Sequence, residues 1–164
     1  MSTSELQKEK IGVFVDVQNI YYTTRDAFGR PVNYRALWKS LSGKGDIVIA
    51  SAYAIDRNDE SQRKFQSALR HIGFNVMLKP YIQRADGSAK GDWDVGITVD
   101  VLEKAHALDR VFLLSGDGDF DRLVEAVQTK HGVPVEVYGV STLTADSLKR
   151  AAFIFHPITE SLLI

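Results

Sequence analysis

Six short apolar runs recur along the chain, and longer stretches with helical spacing separate them. Each run is nearly continuous in Val, Ile, Leu and Phe, a composition typical of strands buried on both faces of a parallel sheet. The runs that predict strands are residues 11–16, 46–55, 74–82, 110–116, 133–140 and 153–156. The pattern therefore predicts a sheet of five strands with a short sixth.

Helices are predicted between these runs. Residues 17–42 hold one or two helices, since Gly29 and Pro31 would interrupt a single one. The other predicted helices are residues 58–72, 92–108, 119–130 and 143–151. Alternating strands and helices predict an α/β fold, a three-layer α/β/α sandwich with a mostly parallel central sheet of the Rossmann-like kind.

The sequence also indicates how many domains the chain forms. No repeat or low-complexity linker divides the chain, so we expect one domain over residues 11–164, preceded by a flexible tail at residues 1–10. The polar start lacks the apolar stretch of a secretory signal, and no apolar run reaches the length of a membrane-spanning helix. We therefore expect a cytoplasmic protein without membrane association.

The amino-acid composition excludes several kinds of functional site. The chain of 164 residues contains no cysteine, which excludes disulfides, thiol catalysis and cysteine-ligated zinc or iron–sulfur sites. Its formal net charge is −1, so the molecule has no overall basic field that would attract nucleic acid. A polyanionic partner would need a local basic patch or a bound cation.

Acidic residues concentrate where strands end or helices begin. Asp16 ends the first predicted strand, Asp117 and Asp119 follow the fourth, and Asp92 and Asp94 start a helix. Ligands of open α/β sheets bind at the carboxyl ends of the strands. Each aspartate alone could cap a helix. Capping explains one acid per helix, however, whereas a hard cation such as Mg²⁺ or Mn²⁺ would compensate several acids at neighbouring strand ends.

Three other ligand sites are excluded. Counted from Asp117, the positions where an EF-hand needs Gly and Glu hold Arg122 and Gln128. No P-loop motif occurs, and Gly116 and Gly118 do not form a dinucleotide-binding motif.

Asp100 lies about 120° from Asp94 on a helix, so we expect it to play a structural part rather than share a pocket with Asp94.

Three motifs occur in order along the chain. They are the strand-ending D-x-x-N of Asp16 and Asn19, the K-G-x-x-D-V…D pattern between Lys90 and Asp100, and the S-G-D-G-D-F motif that begins at Ser115. Together they resemble the LabA-like group of the NYN domain family, within the PIN-like nuclease superfamily. The resemblance spans roughly residues 11–156.

The resemblance implies a PIN-like fold and a metal-dependent endoribonuclease that hydrolyses RNA phosphodiesters with Mg²⁺ or Mn²⁺. Carried over by position, it implies that Asp16, Asp94, Asp117 and Asp119 are the catalytic, metal-binding acids. Asn19 and Ser115 are implied as polar supports.

Contacts to RNA are expected from residues beside these motifs. Tyr22, with Tyr21, follows the first motif and predicts stacking on unpaired bases, which favours single-stranded RNA. Lys90, Arg84 and Arg57 lie near strand ends and predict phosphate contacts. One of the tyrosines could instead pack in the core, and the cations could simply be solvated. Self-association of the chain into a homo-oligomer is also open.

Two other functions stay open. Many PIN nucleases carry a glutamate on an early helix, and residues 17–42 contain none, which favours a catalytically weak or inactive RNA- or protein-binding module on the same fold. A phosphatase of the haloacid dehalogenase kind is disfavoured, because D-V-Q-N at residues 16–19 lacks that family's second acid. The four histidines lie outside the motifs and are expected to be structural: His71, His106, His131 and His156.

Overall fold

The computed structural model describes residues 8–80, 82–83, 89–90 and 92–164, and for residues 80, 82–83 and 89–90 it describes the backbone only. The strands are β1 (Lys10–Asp16), β2 (Asp46–Asp56), β3 (Asn75–Pro80), β4 (Ile82–Gln83), β5 (Ala89–Lys90), β6 (Arg110–Leu114), β7 (Val135–Gly139) and β8 (Ile154–Pro157). The α-helices are α1 (Val17–Phe28), α2 (Tyr34–Ser42), α3 (Glu60–Ile72), α4 (Asp94–Lys104), α5 (Asp121–His131) and α6 (Asp146–Ala151).

Six strands form one parallel sheet in the order β3-β2-β1-β6-β7-β8. The order runs outward from β1 through β2 to β3, then restarts at β6 on the other side of β1. The point between β1 and β6 is therefore a topological switch point, where parallel α/β sheets bind ligands. β4 and β5 form a separate antiparallel pair.

Helices cover both faces of this sheet. On one face, Val13 and Val15 of β1 pack with Leu37 of α2, in a core that α1 and α3 complete. On the other face, Phe14 packs with Ile97 of α4, in a core that α5 and α6 complete. Alternate residues of β1 therefore enter opposite cores, which explains its unbroken apolar run and confirms the predicted three-layer sandwich.

Local turns divide two of the predicted segments, one as expected and one not. Gly29 has φ 65° and ends α1, a left-handed conformation that glycine adopts without steric cost, so residues 17–42 do form two helices. The predicted strand 74–82 is divided, because β3 ends at Pro80 and β4 starts at Ile82.

The two ends of the described chain also contact the sheet or its helices. Glu9 pairs with Arg110 at 2.8 Å, and β1 already includes Lys10; residues 1–7 of the predicted tail lie outside the described residues. Near the other end, Leu163 forms a bridge with Val32. Within the described residues, no helix is long and apolar enough to span a membrane.

Candidate metal centre

Three carboxylates meet at the switch point. Asp94 lies in the first turn of α4, and Asp117 and Asp119 lie in the turn between β6 and α5. One oxygen of each carboxylate lies within 4.8 Å of the others. The fold therefore brings together Asp94 of the second motif with Asp117 and Asp119 of the third motif, although the two motifs are distant along the chain.

Asp16 adjoins this cluster through a chain of hydrogen bonds. The buried Ser115 hydroxyl donates to Asp16 Oδ2 at 3.0 Å, and the Asp117 amide donates to the Ser115 oxygen at 3.1 Å. The Asp119 amide in turn donates to Asp117 Oδ1 at 2.9 Å. Ser115 thus fixes both the Asp16 carboxylate and the backbone that carries Asp117.

The turn after β6 is held closely against its neighbours. Asn19 Oδ1 of α1 accepts a hydrogen bond from the Gly116 amide at 2.8 Å. A Cβ on Gly116 would lie 2.7 Å from the carbonyl oxygen of Leu143, so only glycine allows this approach. The first and third motifs are therefore joined by a specific polar contact as well as by the strand pairing of β1 and β6.

Helix α4 is held against β2 by two side chains, Trp93 just before its first residue and Asp100 in its second half. Trp93 donates through Nε1 to the Ala54 carbonyl at 2.9 Å, and its ring packs against Tyr53 at 5.3 Å. One and a half to two turns later, Asp100 accepts a hydrogen bond from the Tyr53 hydroxyl at 2.7 Å. These contacts determine where Asp94 lies, and Asp100 acts as the sequence predicts, as a structural partner.

The acids perturb one another. Burial raises the pKa of Asp94 to about 7, with further contributions from a side-chain hydrogen bond and the charge of Asp117 and from the charges of Asp16 and Asp92. Burial also raises the pKa of Asp16 to about 6, although the Ser115 hydrogen bond opposes the shift. While no cation is bound, both carboxyls therefore keep their protons to a higher pH than an ordinary aspartate does.

Compensating cations are scarce around these acids. Among the described residues, no lysine or arginine forms an ion pair with Asp16, Asp94, Asp117 or Asp119. Lys79 is nearby: its Nζ lies 3.3 Å from the Asp92 carbonyl oxygen and 4.5 Å from the centre of the Trp93 ring. The negative charge of the cluster is thus left to solvent or to a ligand.

Other predicted residues lie outside the cluster. Tyr22 lies on α1, is not one of the clustered residues, and contacts Tyr21 and Arg57. Lys90 lies in β5, where only the backbone is described, and Arg84 lies outside the described residues. Asp121, which was not among the predicted site residues, follows Asp119 by two residues, begins α5 and is not one of the three clustered acids.

One cation beside the site was not identified from the sequence. Lys79 lies at the carboxyl end of β3 and contacts Asp92 and Trp93 at the start of α4. The sequence shows that Lys79 follows an apolar run, but only the fold shows which residues lie next to that strand end.

Comparisons with known proteins show which family the chain resembles. A family model described as the NYN domain matches residues 10–160. The low amplitude and bright protein LabA of Synechococcus elongatus is 25% identical over 150 residues, covering 87% of this chain and 80% of LabA. The crystal structure of a protein of unknown function from Vibrio parahaemolyticus is 51% identical, covers 100% of both chains and superposes with a TM-score of 0.92.

Proposed function

Because the chain belongs to the LabA-like group of the NYN domain family, we propose that it is a metal-dependent endoribonuclease acting at the carboxyl edge of the sheet. The observation that carries the proposal is the convergence of the Asp94, Asp117 and Asp119 carboxylates within 4.8 Å. Three acids from two chain segments would repel one another at this separation without a shared cation.

The donor set fits Mg²⁺ or Mn²⁺. Carboxylate oxygens are the ligands that these hard cations prefer. Asp94, Asp117 and Asp119 would hold the ion, with Asp16 adjoining them. A bound divalent cation would activate water and stabilise the charge of the leaving oxygen. The ion would also reverse the local charge that otherwise repels a phosphodiester.

The remaining residues position these acids. Ser115 orients Asp16 by donating to its carboxylate and holds the Asp117 amide. Asn19 fixes the turn after β6 by accepting from the Gly116 amide. Trp93 and Asp100 hold α4 against β2, so that Asp94 faces the same volume as the turn. Lys90, on the short strand β5, is proposed as a contact to substrate phosphate.

The test is cleavage of an end-labelled single-stranded RNA with Mn²⁺, with Mg²⁺ and with EDTA. We expect cleavage with a divalent ion, products carrying 5′-phosphates, and loss of cleavage to background in Asp117→Asn. Asp121→Asn is the matched control, because Asp121 lies in the same region but outside the three clustered acids. Cleavage that persists in Asp117→Asn, or in EDTA, would show that the acids do not carry the reaction.

One observation favours a second function. Neither α1 nor α2 contains a glutamate, so the early-helix acid of many PIN nucleases is missing. A non-catalytic RNA-binding module on this fold would bind the labelled RNA without cutting it under any metal condition. That result would replace the nuclease with the module.

A further inference from the structure

A cavity of about 490 Å³ lies next to the acidic site, on another flank of α1. This volume is within the range of roughly 300–1,000 Å³ that small-ligand pockets have. Its walls come from α1, α3 and the end of β2. The side chains used below are those of Gln18, Tyr21, Tyr22, Arg25, Arg57 and Gln62.

The cavity opens at the same edge of the sheet as the acids. Val17, which lines it, directly follows Asp16. Ala54, which also lines it, follows Tyr53, the register partner of Asp16 on the adjacent strand. Neighbouring strands lie about 4.8 Å apart. A chain of nucleotides that reaches the acids therefore has the cavity beside it.

Helix geometry directs α1 toward both places. Gln18, Tyr22 and Arg25 are spaced by four and three residues, so they lie on one helix face and line the cavity. Asn19 follows Gln18 and so lies about 100° from it around the helix. There its side chain contacts Gly116 of the acidic site. One short helix thus presents separate faces to the two sites.

The cavity wall combines aromatic rings with guanidinium groups. Tyr21 is 49% exposed, and its ring meets that of Tyr22 edge to face at 5.4 Å. The Arg25 guanidinium lies 5.5 Å from the Tyr21 ring centre and 4.9 Å from that of Tyr22. Arg57 donates to the Tyr22 hydroxyl at 3.4 Å. This arrangement provides flat surfaces for stacking next to positive charge.

The charge balance of the wall suits an anion. Arg25 and Arg57 line the cavity together with one acid, Asp59, and the Arg25 guanidinium also lies 3.8 Å from the carboxylate of the exposed Asp26. The Asp59 carboxylate already accepts hydrogen bonds from the amide and hydroxyl of Ser61 at 2.8 Å, which caps α3. The residues that line the cavity thus offer two guanidinium groups against one already hydrogen-bonded carboxylate, a donor set that suits phosphate oxygens.

We propose that the cavity binds an unpaired nucleobase of the RNA strand, close to the phosphodiester that is cleaved. The base stacks on Tyr21 and Tyr22, and Arg25 and Arg57 contact the adjacent phosphates. Aromatic stacking beside a positive groove is how single strands are bound without a duplex, and arginine matches phosphate geometry well. The amide groups of Gln18 and Gln62 are available to the edge of the base.

The proposal rests on the proposed function, since its occupant is the substrate of the metal centre. It excludes duplex RNA, because paired bases are stacked inside the helix and cannot enter a cavity. It also distinguishes a base within a strand from a free mononucleotide, which would lack the neighbouring phosphate contacts.

The experiment measures RNA binding separately from cleavage. A labelled, unstructured RNA of about 12 nucleotides, a length suited to single-strand sites, is titrated with protein in EDTA and followed by fluorescence anisotropy. We expect Tyr22→Leu and Arg25→Gln each to weaken binding about tenfold, a size typical of lost base stacking. A duplex of the same sequence, and a mononucleotide, should bind far more weakly.

Matched controls separate a site from general surface effects. Phe153→Leu removes an exposed aromatic ring that lies under an arginine, Arg110, near the amino end of β8. Arg70→Gln removes an exposed cation from the last turn of α3. Both controls should bind RNA like wild type. Thermal melting and Mn²⁺ binding of all four variants show that they are folded; Tyr22→Phe, which keeps the ring, should retain most of the affinity.

An abasic series tests the nucleobase directly. Removing one base at a time should weaken wild-type binding about tenfold at a single position, and the same removal should add little in Tyr22→Leu, because the two changes delete one contact. Additive losses, equal losses in the controls, or equal binding of duplex would overturn the proposal.

The two proposals fail in different ways. Mn²⁺-dependent cleavage with binding that ignores Tyr22 and Arg25 would refute the nucleobase site and leave the nuclease standing. Binding that depends on these residues without any cleavage would refute the nuclease and leave the site. Absence of any single-strand binding by the wild-type protein would refute the nucleobase site.

Discussion

At the scale of single residues, the site depends on acids held close together by hydrogen bonds. Ser115 serves two segments with one hydroxyl, since it donates to Asp16 and accepts from the Asp117 amide. Such positioning contacts matter because metal sites demand defined ligand geometry, and their loss typically lowers metal affinity or activity by about 10- to 100-fold.

Ser115→Ala tests this role. We expect Mn²⁺ affinity, measured by calorimetry, to fall about 10- to 100-fold, because Asp16 and the Asp117 backbone lose their common partner. Thr24→Val, which removes another buried hydroxyl, one that donates to the Ile20 carbonyl within α1, should leave Mn²⁺ affinity unchanged. Equal affinity in Ser115→Ala and wild type would mean that the hydroxyl does not position the acids.

The raised pKa of Asp94 predicts a pH-dependent stability. Its folded pKa of about 7 lies above the ordinary value of 3.8. Between these values the folded state binds the proton that the unfolded state has released, so stability falls as pH rises through this window. Metal-free Asp94→Asn should therefore melt a few degrees above wild type at about pH 8, with a smaller gain at about pH 4.5.

The measurement is thermal melting in EDTA at the two pH values. Asp26→Asn, an exposed change on α1, should show no such dependence. Added Mn²⁺ should stabilise wild type and not Asp94→Asn at the higher pH. A lower melting temperature for metal-free Asp94→Asn at the higher pH would contradict the burial and charge repulsion that raise the Asp94 pKa.

At the scale of elements, α4 is what brings the second motif to the other two. Its register against β2 depends on the Trp93 bond to the Ala54 carbonyl and the Tyr53 bond to Asp100. Neither contact is visible in the sequence, because both partners belong to a strand some 40 residues earlier. The sequence did indicate that Asp100 points away from Asp94, since that follows from helix geometry alone.

Trp93→Phe tests the anchoring of α4. Loss of the indole hydrogen bond should lower the free energy of unfolding by about 1 kcal/mol and also weaken Mn²⁺ binding, because Asp94 follows Trp93 directly. Trp38→Phe on α2, where the indole packs on Phe74, should reduce stability without changing Mn²⁺ affinity. Denaturant unfolding and calorimetry give the two readouts; an unchanged Mn²⁺ affinity in Trp93→Phe would show that α4 is held by other contacts.

At the scale of the whole molecule, the sequence predicted the layers and most strands, because residues buried on both faces leave unbroken apolar runs. It did not predict the strand order, which comes from pairing between distant segments and which creates the switch point between β1 and β6. The motifs identified the four candidate acids. Only the fold shows that Asp119 groups with Asp94 and Asp117, and that Asp16 adjoins this group through Ser115.

A buried charged cluster around Glu136 is expected to stabilise the fold without taking part in metal binding. Glu136, buried in β7, pairs with Arg110 at 2.7 Å and with His156 at 2.6 Å, near the amino ends of the strands and away from the acids. Glu136→Gln should lower the free energy of unfolding by about 2 kcal/mol, the scale of lost hydrogen bonds to charged groups. Its Mn²⁺ affinity should stay that of wild type; a large loss of affinity would show that the two ends of the sheet are coupled.

The proposed metal centre requires that the acids at the switch point share one cation, and anomalous diffraction from a crystal soaked in Mn²⁺ can locate that ion. We expect a manganese peak within coordination distance of the Asp94, Asp117 and Asp119 carboxylates, and no such peak in Asp117→Asn crystals treated alike. A wild-type map with manganese elsewhere, or with none bound to these carboxylates at saturating Mn²⁺, would contradict it.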